Sequence, residues 1–199
     1  MKSWLITGGP GCGKSLLLSF LHGILPAVSR FSADLEVSAA LERQETIELL
    51  EECLGSNVRL GSGMVNRSWL RDVVLPDPIL RGRLEAVLHP PVLQALEASR
   101  KQALASGANL FLAEVPLHYE IGATVSADLV IVVASSRSVQ IRRMMETRGL
   151  DEQTVHKFLE AQWPIEAKVE RADAVIWNDG SLASLEAQVL TLASPLLQA

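Results

Sequence analysis

Near the amino terminus the run Gly8-Gly9-Pro10-Gly11-Cys12-Gly13-Lys14-Ser15 joins the apolar segment Trp4 to Thr7 to a long apolar stretch beginning at Leu16. The pattern is G-x-x-x-x-G-K-[ST], in the strand–loop–helix setting that gives it meaning. Its glycines let the backbone curl until successive N–H groups point into one concavity, a nest for phosphate oxygens. The helix that follows adds the partial positive charge of its amino end. Lys14 supplies a full charge, and the Ser15 hydroxyl is placed to join a Mg²⁺ shell. A glycine-rich strand-to-helix turn with no ligand is the bland alternative, and the flanking pattern favours the cradle.

The rest of the chain alternates in the same way. Compact apolar runs at 27–32, 110–115, 129–133 and 174–177 have the length of buried strands. Pro90 and Pro91 suit the start of a helix that carries Val92, Leu93 and Leu96 on one face and stops before Gly107. Ser181 reads as an N-cap, with Leu182, Leu185 and Val189 facing inward behind it. Repeated βα units predict an α/β fold with a parallel sheet covered on both faces and ligands at the carboxyl ends of its strands. From Leu35 to Gly107 no buried strand is evident, and the interval reads as helical, with a turn at Gly61-Ser62-Gly63 and a break near Pro76 and Pro78. Such an insertion is either a substrate-binding part or a layer that covers the sheet.

With 199 residues, 48% of them hydrophobic and 21% charged, the chain is long enough for one domain, 1–199, with a sizeable core. A net charge of −5 argues against a nucleic-acid footprint. The apolar run after Lys14 resembles the middle of a signal peptide, but a strand and a glycine loop precede it, and it is too short to span a bilayer. It reads as a buried helix, apolar around most of its surface. The expectation is a soluble, cytoplasmic protein with no membrane partner, a monomer or weak homo-oligomer. Two cysteines, Cys12 and Cys53, cannot make a disulfide framework and suit a reducing compartment. Cys12 lies in the nest, where oriented amides favour thiolate and would make it redox-sensitive; a small residue tolerated there is the plainer reading. His22 and His156 have no partner at metal-ligand spacing.

An ordered series of residues resembles the dephospho-CoA kinase family. It comprises Leu5-Ile6-Thr7-Gly8-Gly9, Ala33-Asp34, Gly63, Arg67, Leu70, Asp77, Leu84-Glu85 and Leu88-His89-Pro90. It continues through Val115-Pro116-Leu117, Glu120, Arg143, Gly149-Leu150, Gln162, Ala172-Asp173, Asn178 and Gly180-Ser181. The resemblance implies transfer of the ATP γ-phosphoryl group to the ribose 3′-hydroxyl of dephospho-CoA. It also implies a P-loop three-layer fold with a five-stranded parallel sheet, a helical substrate-binding insertion at 35–107 and a lid at 143–172. Some positions depart from the family. Ser32 and Asn66 stand where acids are usual, Phe158 and Val169 stand where lid arginines are usual, and Thr147-Arg148 replaces an Arg-Asp pair, leaving Lys157, Lys168 and Arg171 nearby.

The resemblance places ATP along Gly8, Gly9, Gly11, Cys12, Gly13, Lys14, Ser15 and Leu16, with Asn178 in the adenine pocket. Asp34 reads locally as a helix N-cap; the resemblance makes it the base that takes the acceptor's proton. Glu114, ending an apolar strand, is expected near Mg²⁺ with Ser15, or else paired with a neighbouring cation. Arg143 is the lid-side cation, whose guanidinium fork matches phosphate oxygens, and Arg142 a solvated charge. Arg67, His89, Pro116 and Glu120 are expected at the acceptor, although His89 before Pro90 reads more readily as fixing the start of the helix. His118 faces the acceptor or solvent, and Trp69 and Trp163 stack on substrate or pack in a core. A kinase of another nucleotide-like alcohol and a non-catalytic ATP-binding module are the competing readings.

Overall fold

The computed structural model describes residues 1–122 and 125–197. In chain order its elements begin with β1 (Lys2–Gly8), α1 (Lys14–Ile24), β2 (Val28–Ser32), α2 (Ala33–Ala40) and α3 (Gln44–Leu54). A short α4 (Arg67–Trp69) runs into a π-helical turn (Leu70–Val74), followed by α5 (Pro78–Ala105), β3 (Leu110–Glu114) and β4 (Leu129–Ala134). The chain continues through α6 (Arg137–Arg148), α7 (Glu152–Glu160), α8 (Ile165–Val169), β5 (Ala174–Trp177) and α9 (Leu182–Leu197).

The five strands form one parallel sheet in the order β2-β3-β1-β4-β5. Ile6 of β1 pairs with Glu114 of β3, and Gly8 with Val133 of β4. In the central strand β1, Trp4 and Ile6 join a core with Leu17, Leu18 and Leu21 of α1 and Leu185 and Val189 of α9. Leu5 and Phe111, pointing to the other side, are also fully buried, so both faces of the sheet are covered. That two-sided burial is why the strands read as unbroken apolar runs.

The chain divides into two compact units, Ser32–Ser99 and the remainder that carries most of the sheet. The 32–99 unit has its own core of Leu41, Ile47, Leu50, Val58, Val74 and Leu84. Trp69 packs at the margin of that core. Asn66 accepts a hydrogen bond from Trp69 N at 3.1 Å and caps α4, a role Asn fills as well as the acid that the resemblance leads one to expect there.

Three local expectations need correction. The helix assigned to start at Pro90 begins at Pro78, with both prolines internal. Its 28 residues continue through two positions that lack an N–H donor, so His89 lies mid-helix rather than at a helix start. Ser181 does cap α9, its Oγ accepting from Ser184 N at 3.2 Å, but Leu182 in the first turn is exposed while Leu185 and Val189 are buried. Helix α1 buries one face only; Ser15, Ser19 and His22 lie on the exposed side. Among the described residues no helix is long and apolar enough to cross a membrane.

Candidate functional site

The loop between β1 and α1 is shaped by close backbone approaches. Gly8 has φ +138°, and a Cβ there would meet the Val133 carbonyl oxygen at 2.1 Å. Gly13 has φ +94°, and its Cβ would lie 2.4 Å from Asn178 Nδ2. Both positions therefore demand glycine on conformation and on space. Gly13 is also the N-cap of α1, so no side chain caps that helix. Leu16 N turns back to the Gly13 carbonyl at 3.1 Å, and the amino end of α1 offers its partial positive charge to a ligand held by the loop.

Lys14 Nζ donates to the Gly8 and Gly9 carbonyls at 3.1 and 3.0 Å, which holds the ammonium folded back over the loop. From the opposite side a hydrogen-bonded network fixes the loop's carbonyls. Asn178 Nδ2 donates to Cys12 O at 2.8 Å, and Arg143 donates to Gly11 O at 3.4 Å and to Ser135 Oγ at 3.2 Å. Ser135 Oγ donates in turn to Asn178 O at 2.9 Å. The structure thus sets Arg143 on α6, against the loop. Asn178 is buried and grips the loop from behind. Arg142 is exposed, as expected.

Cys12 is completely buried. Burial pushes its thiol up, outweighing the attraction of Lys14 and hydrogen bonds from Ser135 and Gly9. The thiolate expectation fails because desolvation of the charged form is larger than the pull of the oriented amides.

Glu114 stands at the carboxyl end of β3, in register with Ile6, beside the strand that feeds the loop. Ser15 lies exposed in the first turn of α1. A hydroxyl and a carboxylate are hard oxygen donors, the kind Mg²⁺ takes, and among the described residues no cluster of three or more His, Cys, Asp or Glu could cage a metal. That sparse donor set fits an ion completed by phosphate oxygens and water rather than one held by protein alone.

Asp34 occupies the first turn of α2, two residues past β2, and is exposed. Ser32, not Asp34, is at the N-cap position, so the cap reading of Asp34 does not hold. Within its own unit the Asp34 carboxylate makes no hydrogen bond or ion pair among the described residues. In the same unit Arg67 is exposed and donates to Ser38 O at 3.5 Å, with Glu42 at 3.9 Å. His89 is half-buried; desolvation pulls its pKa down, with Glu85 opposing.

The loop after β3 holds the feature that sequence reasoning missed. Lys168 is fully buried, and its Nζ donates to Pro116 O at 3.0 Å, Glu120 Oε1 at 2.8 Å and Gln162 Oε1 at 3.4 Å. Glu120 Oε1 also accepts from Trp163 N at 2.8 Å. Pro116 O takes a second donor, Thr7 Oγ1, at 3.0 Å. Lys168, one of the basic residues left near the missing lid arginines, is committed to its own chain, and Pro116 and Glu120 are both bound to it. Trp163 stacks on Tyr119 with Arg171 over its ring at 5.0 Å, so both residues are engaged in packing. Lys157 is exposed. Desolvation lowers the pKa of His118, with Glu120 opposing and Lys168 adding to it. The sequence signal for this cluster was that Thr7, Pro116, Glu120 and Gln162 all fall in the matched series, whereas Lys168 does not.

A parallel sheet whose central strand runs into a lysine-bearing glycine loop, with a capless helix behind it, defines a P-loop nucleotide-binding protein. The family model for dephospho-CoA kinase matches residues 5–184. The chain belongs to the dephospho-CoA kinase family. It is 34% identical over 193 residues to a dephospho-CoA kinase of Syntrophotalea carbinolica, covering 96% of this chain and 90% of that one. It is 33% identical over 199 residues to that of Chlorobaculum tepidum, covering 96% and 93%. Among solved structures, TT1252 from Thermus thermophilus superposes with a TM-score of 0.80 at 30% identity, covering 98% of this chain and 97% of that one. A dephospho-CoA kinase from Campylobacter jejuni, at 23% identity and TM-score 0.69 over 100% and 98% of the chains, shares the fold.

Proposed function

We propose that this protein transfers the γ-phosphoryl group of ATP to the ribose 3′-hydroxyl of dephospho-CoA, giving coenzyme A and ADP. The observation that carries this reading is the family match over residues 5–184, which falls on a loop built as a phosphate cradle. ATP lies along Gly8 to Leu16. Phosphate oxygens take over the Lys14 ammonium from the Gly8 and Gly9 carbonyls, a short displacement for a long, flexible side chain. Arg143, already at the loop, adds a second cation as charge builds on the transferring group.

Asp34 is the base. An exposed carboxylate with no partner in its own unit is free to accept a hydroxyl proton, which a carboxylate pinned as a cap would not be. Ser15 and Glu114 would hold Mg²⁺, which when bound neutralises phosphate charge. Arg67 serves the acceptor through its exposed guanidinium. The insertion at 35–107, most of which lies in the compact 32–99 unit, acts as the substrate-binding part, and the helices from 143 to 172 as the lid. The free thiols of Cys12 and Cys53 suit work in a reducing cytoplasm.

The test is coupled ADP release from Mg-ATP with and without dephospho-CoA. ADP release that depends on dephospho-CoA is expected. ADP release with other nucleotide-like alcohols in its place would move the assignment to another acceptor, and nucleotide binding without any transfer would make the protein a binding module.

A further inference from the structure

The pair Lys168–Glu120 joins three stretches of chain that are far apart in sequence. Lys168 lies on α8, Glu120 and Pro116 on the loop after β3, and Thr7 at the end of β1, immediately before the glycine loop. Thr7 Oγ1 and Lys168 Nζ converge on one acceptor, the Pro116 carbonyl, at 3.0 Å each. Through that oxygen the root of the glycine loop is bonded to α8. The ammonium's three protons have three acceptors within 3.4 Å, so its orientation is fixed. Glu120 Oε1 accepts from Trp163 N as well, which ties the residues just ahead of α8 to the same point.

Those residues form a wall. A hollow of about 330 Å³ is lined by Gly9 and Pro10 of the glycine loop, by Arg137 and Gln140 of α6, and by Gln162 and Trp163. The segment that Lys168 and Glu120 hold therefore shares a hollow with the glycine loop. Burying a lysine and a glutamate is costly unless each is paired and hydrogen-bonded; here Lys168 has three acceptors, while Glu120 gathers its bonds on Oε1 and leaves Oε2 buried without a partner among the described residues. A leucine or methionine at 168 would fill the space but could not bond Pro116, Glu120 and Gln162 together.

We propose that Lys168 and Glu120 are positioning residues for nucleotide binding, fixing the 162–168 wall and the root of the glycine loop in one register. Neither touches a reacting atom in this account. The inference rests on the ATP-binding part of the function above, and not on the identity of the acceptor.

The decisive comparison is Lys168→Met against the double variant Lys168→Met/Glu120→Gln. Two quantities are measured for each, the thermal midpoint and the dissociation constant for Mg-ATP by calorimetry. Lys168→Met leaves a buried carboxylate unpaired and should lower the midpoint; the double variant removes both charges and should recover most of it. Affinity should not recover with it, because the bonds to Pro116 and Gln162 stay lost. We expect Mg-ATP to bind the double variant about tenfold more weakly than wild type. In Lys168→Met the same loss should appear in KM for ATP, with kcat much less affected.

If the double variant regains wild-type affinity along with its midpoint, the pair is only structural and the proposal falls. Should the double variant not fold, Glu120→Gln alone decides. It keeps an oxygen acceptor for Trp163 N and Lys168 while removing the charge and placing an amide NH2 where Oε2 was, and about threefold weaker Mg-ATP binding is expected, with no change refuting the proposal. Calorimetry needs no acceptor. A wild-type protein that binds Mg-ATP but does not phosphorylate dephospho-CoA would thus overturn the acceptor and leave this test intact. One that binds no Mg-ATP would overturn both.

Discussion

Replacing Gly13 by alanine is the sharpest perturbation that this site offers, because two separate costs can be read from one position. The first is conformational: at φ +94° an L-residue is strained, and a left-handed conformation costs a non-glycine residue about 1–2 kcal/mol. The second is a collision. The new Cβ would lie 2.4 Å from Asn178 Nδ2, closer than any real contact, so the amide must move. In moving it gives up its 2.8 Å bond to Cys12 O, a buried bond whose loss costs about 1 kcal/mol. Together these come to about 2–3 kcal/mol, or about 4–12 °C in thermal midpoint for a chain of this size.

The assay is calorimetric unfolding of Gly13→Ala in the wild-type and Asn178→Ala backgrounds. With the amide gone only the conformational cost remains, so the substitution should cost about 1 kcal/mol less in the second background. Equal costs in the two backgrounds would show that Asn178 does not hold the loop. A neutral Gly13→Ala would refute the left-handed geometry itself.

Two further outcomes follow from the same structure. Asp34→Asn should lower kcat by at least about 100-fold while the Mg-ATP dissociation constant stays within about twofold, since the side chain is assigned only the acceptor's proton; full turnover would remove the base. His118 has a folded pKa below its ordinary 6.5, so the unfolded chain binds more protons on the acid side. Its contribution to stability is complete above about 6.5 and declines as pH falls below that, and a plot of midpoint against pH should flatten there in His118→Asn.

Most of the sheet was legible in the sequence because burial on both faces removes the need for polar residues. Strands β1, β3 and β4 are nearly continuous runs of buried side chains, and their limits shifted by only a residue or two. The glycine loop was legible because its backbone conformations and close approaches admit few residue types. Helix α5 was mis-bounded for a local reason. A proline pair favours a helix start when only neighbours are weighed, but the observed helix continues through it. What the polar supports bond to could not be read from local sequence. Asn178 bonds Cys12 across 166 residues and Lys168 bonds Pro116 across 52, and nothing in the neighbourhood of either lysine or asparagine marks it as buried. A lysine in a short helix among charged neighbours reads as solvated until the fold brings an acid to it.

The account stands most directly on where the phosphate goes. Incubation with Mg-ATP and dephospho-CoA, followed by phosphorus and proton NMR of the product, should show one new phosphomonoester coupled to the ribose 3′ proton, with ADP formed in equal amount. A phosphate on any other oxygen, or ADP formed without a phosphorylated acceptor, would contradict it.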